Sequence, residues 1–143
     1  MRRIVRVLSL LLALSGLSAP AVYGQERQQE SGFTLGQNFP NPFNPTTRIP
    51  FELFEDLFVD GKTAVVSFRI YNILQQFVAA PTALNHSSSD GGPLINLEYV
   101  QPGRYEAYWD GRDVSGRQVA SGIYFVQITV NGTIKVVKMW VAK

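Results

Sequence analysis

Apolar side chains recur at every second position through most of this chain, and this two-residue period is the feature that most constrains its fold. Val66, Phe68 and Ile70 form one such row, which is typical of a strand with one buried face. No long stretch shows the 3.6-residue apolar stripe of a helix. The same alternation occurs in three further segments: Ile49, Phe51 and Leu53; Tyr105, Ala107 and Trp109; and Tyr124, Val126, Ile128 and Val130. The sequence therefore predicts an all-β fold.

Turn signals separate these segments at short intervals. Gly follows Asp, Pro, Ser or Asn at 60–61, 90–92, 102–103, 110–111, 115–116 and 131–132. Asn131-Gly132 favours a type I′ hairpin between the last two strands, because both residues accept positive φ angles. About seven short strands with this punctuation predict an immunoglobulin-like antiparallel β-sandwich. Pro50 cannot donate a hydrogen bond, so its strand is predicted to lie at a sheet edge.

The last strand contains apolar pairs of opposite phase. Ile134 and Val136 share one face, whereas Met139 and Val141 share the other, so strict alternation cannot bury both pairs. We expect a β-bulge near Val136-Val137 that resets the face. The alternative is a strand that is covered on both sides, with Lys138 snorkelling to solvent.

The N-terminal residues carry the pattern of a Sec-type signal peptide. Arg2, Arg3 and Arg6 lie at the start of an apolar run that ends near Leu17 and is followed by small residues, the order typical of such signals. Cleavage could follow residues 19–21 or residues 22–24; an uncleaved anchor is the alternative. We therefore divide the chain into a signal peptide at 1–24, a flexible polar leader at 25–32 and a domain at 33–143, exported through the inner membrane.

The basic excess of the chain belongs to that signal. The full chain has 13 Lys and Arg against 11 Asp and Glu, a net charge of +2. Residues 1–24 contain three of the Arg and no acid, so 10 basic and 11 acidic residues remain after cleavage, a net charge of −1. The domain lacks the positive excess that drives binding to nucleic-acid phosphates. We expect no nucleic-acid partner.

Few residues in the chain are suited to catalysis. There is no Cys and one His, which excludes disulfides, thiolate metal sites and cysteine nucleophiles. His86 lies in residues 81–93, a polar, Gly-rich stretch interpreted as a mobile loop, and we expect it to face solvent. Four carboxylates in one loop-like stretch are interpreted as a solvated face rather than a pair for glycoside hydrolysis: Glu52, Glu55, Asp56 and Asp60.

Asp110 and Asp113 raise the question of a calcium site. Such a site needs six or more oxygen ligands, and only these two carboxylates lie nearby, with Arg112 between them. We favour two consecutive turns in which Asp side chains accept backbone N–H groups. The sequence thus predicts a protein that is not an enzyme, with no metal, no cofactor and no small-molecule substrate.

Three aromatic residues, Tyr108, Phe125 and Trp140, fall on strand faces opposite the predicted core rows. They could form a platform that binds carbohydrate or a partner protein. Alternatively, they cover the second face of the sandwich or the flank beside the Pro50 strand.

Several segments, taken together and in order, carry a resemblance to a known family. They are residues 35–47 (LGQNFPNPFNPTT), 68–74 (FRIYNIL), 109–113 (WDGRD), 116–124 (GRQVASGIY) and 138–143 (KMWVAK). In this combination the chain resembles the type A C-terminal sorting domain of the type IX secretion system, and the related immunoglobulin-like domain of flagellar hook-capping proteins. The resemblance covers residues 33–143. Gln75 stands where the family usually has Gly, so we expect a different turn or a left-handed residue there.

The resemblance implies a sorting function. Domains of this family are recognised in the periplasm by an outer-membrane translocon; many are then cleaved, and the cargo is joined to surface lipopolysaccharide. Carried over by position, the recognition residues are Gly122, Tyr124, Lys138 and Lys143. The alternative is that Gly122 begins a strand, Tyr124 is core and both Lys keep an edge strand soluble. The implied partners are the translocon and its processing machinery, and the implied location is the periplasm and then the cell surface or medium.

The predicted leader leaves little room for cargo, since only residues 25–32 separate the signal from the domain. We expect either a secreted domain that is itself the product or a sorting domain that has lost its cargo. A hypothesis of a different class is a small adhesive or structural surface module that uses Tyr108, Phe125 and Trp140 as contacts.

Overall fold

Nine β-strands and one short 3-10 helix build the part of the chain that the structure, a computed structural model, describes: Gly16 and residues 32–142. The predicted signal peptide other than Gly16, the predicted leader up to residue 31, and Lys143 lie outside the described residues. No helix within the described part is long and apolar enough to cross a membrane. The 3-10 helix spans Glu55–Gly61. The strands are β1 (Phe33–Leu35), β2 (Thr47–Leu53), β3 (Ala64–Asn72), β4 (Phe77–Ala79), β5 (Thr82–Leu84), β6 (Leu97–Tyr99), β7 (Gly103–Trp109), β8 (Gly122–Val130) and β9 (Thr133–Val141).

The strands form two antiparallel sheets that pack on a shared core. The first has the order β1-β2-β7-β5; the second has the order β4-β3-β8-β9, with β6 also paired to β3. This confirms the predicted all-β sandwich. The described residues contain nine strands rather than about seven, because four of the strands are only three residues long and so short a run shows no readable period.

The predicted apolar rows meet between the sheets. Their side chains are buried, apart from the half-buried Tyr105. Phe51 from the first sheet lies 5.0 Å from Phe68 of the second, measured between ring centroids. Burying one such side chain contributes about 1.5–3 kcal/mol. The rows therefore fix which face of each long strand points inward.

Pro50 lies in an inner strand, and the prediction of an edge strand there was wrong. β2 pairs with β1 on one side and with β7 on the other. The Pro50 carbonyl accepts a hydrogen bond of 2.8 Å from the N–H of Gly36, so the ring nitrogen also faces this side, where β1 has ended at Leu35. The missing donor therefore lies outside the β2–β7 ladder, and Pro50 pairs with Glu106 without loss of a ladder bond.

β9 runs without a bulge, so the predicted change of face near Val136 was wrong. It pairs with β8 residue by residue, from Gly122 opposite Val141 to Val130 opposite Thr133. The Asn131-Gly132 turn has φ angles of 48° and 86°, which confirms the predicted positive-φ hairpin. A two-residue turn of this kind fixes the register of the strands that it joins.

This register points Met139 and Val141 into the core, and it leaves Ile134 and Val136 55% and 53% exposed. The alternative of a strand covered on both sides was therefore also wrong. Lys135 faces inward: its Nζ donates to the Phe33 carbonyl oxygen and lies 4.8 Å from the centre of the Phe33 ring. The contact of Lys135 with Phe33 thus fills an inward position at which a β-bulge would have placed an apolar side chain.

Residues 81–93 contain a strand, so their interpretation as a loop was wrong in part. β5 pairs with β7, placing Ala83 opposite Ala107, and both residues are fully buried. The carbonyl of Ala83 also accepts a hydrogen bond of 2.7 Å from the N–H of Gly91. The small side chains of this stretch thus allow close packing beneath a polar turn.

Gln75 adopts the left-handed conformation, with φ of 61°, which was one of the two expected outcomes. Asn72 supports the turn, because its Oδ1 accepts the N–H groups of Leu74 and Gln76, both at 3.0 Å. These bonds offset the backbone strain, which is about 1–2 kcal/mol for a residue with a Cβ.

Candidate functional site

Gly122 and Tyr124, two of the predicted recognition residues, form a corner at the start of β8. Gly122 has φ of +148°, a region that glycine adopts without steric cost. The Tyr124 hydroxyl donates to the Ala120 carbonyl oxygen over 2.8 Å, and its ring centroid lies 5.7 Å from that of Trp109. Burial raises the pKa of Tyr124. Its ring is part of the core.

The same arrangement occurs at the start of β7, in the other sheet. Gly103 has φ of +151°, and Tyr105 donates its hydroxyl to the Gln101 carbonyl oxygen over 2.6 Å. A Tyr that bonds to the backbone a few residues upstream is a recurrent corner of immunoglobulin-like sandwiches. Because two Gly-x-Tyr segments do the same task, the geometry gives Gly122 and Tyr124 a role in the fold.

Lys138, a third predicted recognition residue, lies on the outer face of the second sheet. It is exposed, and its Nζ lies 5.4 Å from the centre of the Trp140 ring. Gly122 and Tyr124 lie on the neighbouring strand, opposite Val141 and Met139. Tyr124 faces the core, so the structure brings these residues onto adjacent strands but not onto one surface. Lys143 is not among the described residues.

Four of the five segments that carry the family resemblance, all but residues 68–74, meet at one end of the sandwich. The Phe43 ring lies 5.3 Å from that of Trp109, which also contacts Tyr124. The N–H of Phe43 donates to the Trp140 carbonyl oxygen, and the Phe43 carbonyl accepts from the N–H of Ala142, both over 3.0 Å. We call Phe43, Trp109, Tyr124 and Trp140 the motif cluster. It joins residues 35–47, 109–124 and 138–142.

The outer edge of β9 is covered at its C-terminal end and open before it. Asn41 Oδ1 accepts the N–H of Trp140, and Gln37 Nε2 donates to the Lys138 carbonyl oxygen, both over 3.0 Å. Between Thr133 and Val137, no strand of the described chain pairs with this edge. An open edge of this kind can accept an added strand.

The three predicted surface aromatics do not form one platform. Tyr108 lies in β7, on the outer face of the first sheet, whereas Phe125 and Trp140 lie in β8 and β9 of the second. The two outer faces are on opposite sides of the sandwich. A single contact surface can therefore include Tyr108, or Phe125 with Trp140, but not all three residues.

The outer face of β3, β8 and β9 is apolar with basic positions. Across the strands, one row reads Arg69, Gln127, Val136 and the next reads Tyr71, Phe125, Lys138. A groove of about 470 Å³ crosses these rows. Its lining is Tyr71, Ile73, Gln75, Phe125, Gln127 and Val136. Val136 was not predicted to lie on this outer face, because a β-bulge was expected near it. The signal that was available is the alternation of Ile134, Val136, Lys138 and Trp140, which continues without a break along β9.

His86 lies in a pocket, and its interpretation as a solvent-facing residue was wrong. It is 9% exposed, its Nε2 donates to the Glu98 carbonyl oxygen over 2.8 Å, and its ring centroid lies 4.7 Å from that of Tyr99. Ser88 and Tyr105 also line this pocket of about 520 Å³. No described residue hydrogen-bonds to the buried Tyr99 hydroxyl. Burial, and after it the nearby Tyr105, raise the pKa of Tyr99. These contacts join distant segments, so local sequence carried no signal for them.

The loop after β7 consists of two consecutive turns, as predicted. Asp110 Oδ1 accepts the N–H of Arg112 over 3.0 Å. Asp113 Oδ1 accepts the N–H groups of Ser115 and Arg117 over 2.9 and 3.0 Å. Both carboxylates are thus engaged with backbone donors. In the part of the chain that the structure describes, no group of three or more potential ligand side chains is placed to hold a metal ion.

No protein-family model matches the chain, and no curated protein matches it. Two solved structures resemble it in fold. One is PorZ, a bacterial surface component of the type IX secretion system of Porphyromonas gingivalis: identity is 18%, coverage is 78% of this chain and 12% of that one, and the TM-score is 0.42. The other is the alkylpurine DNA glycosylase AlkC of Pseudomonas fluorescens, with 13% identity, 79% and 31% coverage and a TM-score of 0.44. The chain spans less than a third of either protein, and neither likeness bears on function.

Proposed function

We propose that this chain is a non-enzymatic secretion and sorting module that directs export across the outer membrane and surface attachment through the type IX system. A Sec-type signal at 1–24 would take it through the inner membrane. The domain at 33–143 would then be read in the periplasm by the outer-membrane translocon and its processing machinery. It needs no cofactor for this task.

The motif cluster is the observation that carries this proposal. Four of the segments on which the family resemblance rests are spread along the sequence from 35–47 to 138–143. These segments contact one another through the rings of Phe43, Trp109 and Tyr124 and through the backbone of Trp140. Motifs that contact one another support the proposed relation to the sorting domains better than the same motifs scattered over the surface would.

β9 is the element that we assign to recognition. An edge strand offers backbone groups for pairing, while its charged side chains set register and orientation. Lys138 is exposed on this strand, next to Trp140. Gly122 and Tyr124 would contribute by holding β8 in place beside it, since their geometry is that of a corner in the fold.

A reporter fusion tests the proposal. Residues 30–143 are joined to the C-terminus of a periplasmically targeted reporter in a host with type IX secretion, and reporter activity is compared between the periplasm and the outside of the cell. We expect the reporter outside. A reporter that stays in the periplasm, with the fused domain intact by mass spectrometry, would overturn the proposal for this chain.

Charge changes on the same fusion test the role assigned to β9. Lys138→Glu combined with Lys143→Glu should retain the reporter in the periplasm. Lys62→Glu is the matched control, because Lys62 is exposed directly after the 3-10 helix and is not part of β9. If export survives the double change, or fails equally with the control, Lys138 and Lys143 have no specific role in recognition. The proposal that the domain is a sorting module would not be affected by this result.

A second candidate function is a small adhesive surface module. The observation that favours it is the exposed apolar face around Phe125 and Trp140, with its groove of about 470 Å³. Mass spectrometry of the native protein separates the two functions. A domain that persists intact on the cell surface, with no dependence on Lys138 for export, would favour adhesion.

A further inference from the structure

The outer face of the second sheet has a charge pattern that the sorting proposal does not use. Arg69 and Lys138 lie on it, in adjacent rows and on the two strands that flank β8. β8 and β9 contain no acidic residue. Among the described residues, the registers place Glu98 on this side, opposite Val65, and Ser67 separates that pair from Arg69 along β3. On this face, the strands β3, β8 and β9 therefore carry two cations, one on each side of β8, and no acidic side chain.

The same face exposes apolar and aromatic side chains that the core does not need. Ile134, Val136 and Trp140 are 55%, 53% and 44% exposed. Ile73 and Phe77, at the β3–β4 end, are 66% and 48% exposed. Single exposed apolar residues are ordinary, whereas a contiguous group across neighbouring strands marks an interaction surface.

We propose that this face binds the surface of an anionic lipid bilayer. Trp and Tyr side chains favour the boundary between hydrocarbon and water, because one part of the ring system is apolar and another is polar. Lys and Arg beside them attract acidic headgroups, with each cation worth about a fivefold gain in affinity. The groove between Tyr71 and Val136 is predominantly apolar, which suits the upper part of an acyl chain better than a free anion.

A bilayer fits these observations better than an acidic protein partner. The cations lie on either side of an apolar centre, the distribution expected where headgroups surround an inserted apolar patch. An acidic protein would need both carboxylates and a complementary ridge for the groove. The proposal does not depend on the sorting function, and its test uses no secretion assay.

Trp140 provides a local readout in the full chain. The chain has two Trp; Trp109 is 2% exposed and Trp140 is 44% exposed. Vesicles of phosphatidylcholine with phosphatidylglycerol, carrying brominated acyl chains, should quench Trp140 fluorescence, and phosphatidylcholine vesicles alone should quench it much less. Trp140→Phe measures the Trp109 background. Attachment through the apolar N-terminal segment alone would leave Trp140 unquenched, and this result would overturn the proposal.

Charge removal gives the quantitative test. Arg69→Gln with Lys138→Gln should weaken the vesicle affinity about twenty-five-fold, from two cations of about fivefold each. Lys62→Gln, outside the strands that form this face, should leave the affinity unchanged. Equal quenching by neutral and anionic vesicles, or no effect of the double change, would refute the proposal. A Trp140 response to polyglutamate but not to vesicles would assign the face to an acidic protein instead.

Discussion

Replacing Gly111 by Ala should destabilise the domain much more than replacing Gly116, although both lie in the loop between β7 and β8. Gly111 has φ of +75°, and a Cβ built on it would lie 2.4 Å from the Pro45 carbonyl oxygen. Gly116 has φ of +79°, and apart from its chain neighbours no atom of the described residues lies within 4 Å of the same Cβ position. The two glycines share a left-handed backbone and differ in steric contact, so Gly116→Ala is a matched control.

The expected losses follow from these two contributions. A left-handed residue with a Cβ costs about 1–2 kcal/mol, which applies to both variants. Forcing an extra atom against fixed neighbours costs about 1–3 kcal/mol more, which applies to Gly111→Ala alone. Pro45 cannot yield freely, because it follows Phe43, whose ring packs on Trp109. We expect losses of about 1 kcal/mol for Gly116→Ala and about 3 kcal/mol for Gly111→Ala, or about 4 and 12 °C in Tm.

Urea and thermal unfolding, followed by Trp109 fluorescence in a Trp140→Phe background, measure both losses. Trp109 is 2% exposed and contacts Phe43, so its emission should report the end of the sandwich that the substitution disturbs. The dependence of the free energy on urea concentration should be unchanged, since neither variant alters the surface exposed on unfolding. Equal losses in the two variants would refute the steric argument and with it the close approach of this loop to residues 43–45.

The remaining predictions concern tyrosine hydroxyls. Tyr99→Phe should raise the free energy of unfolding by about 1 kcal/mol at neutral pH, measured by urea unfolding, because it removes a buried hydroxyl that has no partner among residues 32–142. The folded-state pKa of Tyr99 is raised above its ordinary value of 10.0, so the unfolded chain releases this proton first; stability should be full below pH 10 and fall as pH rises above it. An equal alkaline fall in Tyr99→Phe would contradict this cause. Tyr105→Phe and Tyr124→Phe should each lower the free energy of unfolding by about 1 kcal/mol, because each removes a hydrogen bond to the backbone. Tyr108→Phe, in which the side chain faces outward, should change this free energy by less than about 0.5 kcal/mol. Similar losses in all three variants would show that the two corner bonds do not stabilise the fold.

The long strands and the main hairpin were predictable because their signals are local. Val66, Phe68 and Ile70 alternate with polar residues, and burial on one face of a strand imposes that period. The dipeptide Asn131-Gly132 predicts the type of its turn, because Asn and Gly both accept positive φ angles, and both angles are positive in the structure. At Gln75 the family resemblance, rather than a local signal, narrowed the expected conformation to a different turn or a left-handed residue. These elements needed no knowledge of what packs against them.

The errors arose where distant segments decide the outcome. Pro50 is tolerated in an inner strand because β1 ends at Leu35, and the end of one strand is not visible in the sequence of another. His86 is buried by contacts with Glu98 and Tyr99. The motif cluster was recognised only as a list of segments, and the structure supplies the contacts that join them.

The register of β9 links fold and surface. The hairpin turn fixes the strand's phase, and the core then accepts Met139 and Val141 on one side. Lys135, on the same inward side, contacts the Phe33 carbonyl oxygen and ring. Ile134, Val136 and Trp140 are consequently not required by the interior, and a soluble edge strand is better served by charged residues at such positions. The two proposals, a bilayer on the outer face and a translocon at the strand edge, each give these exposed side chains beside Lys138 a contact that the interior does not provide. The vesicle experiment tests the first proposal and the reporter experiment tests the second.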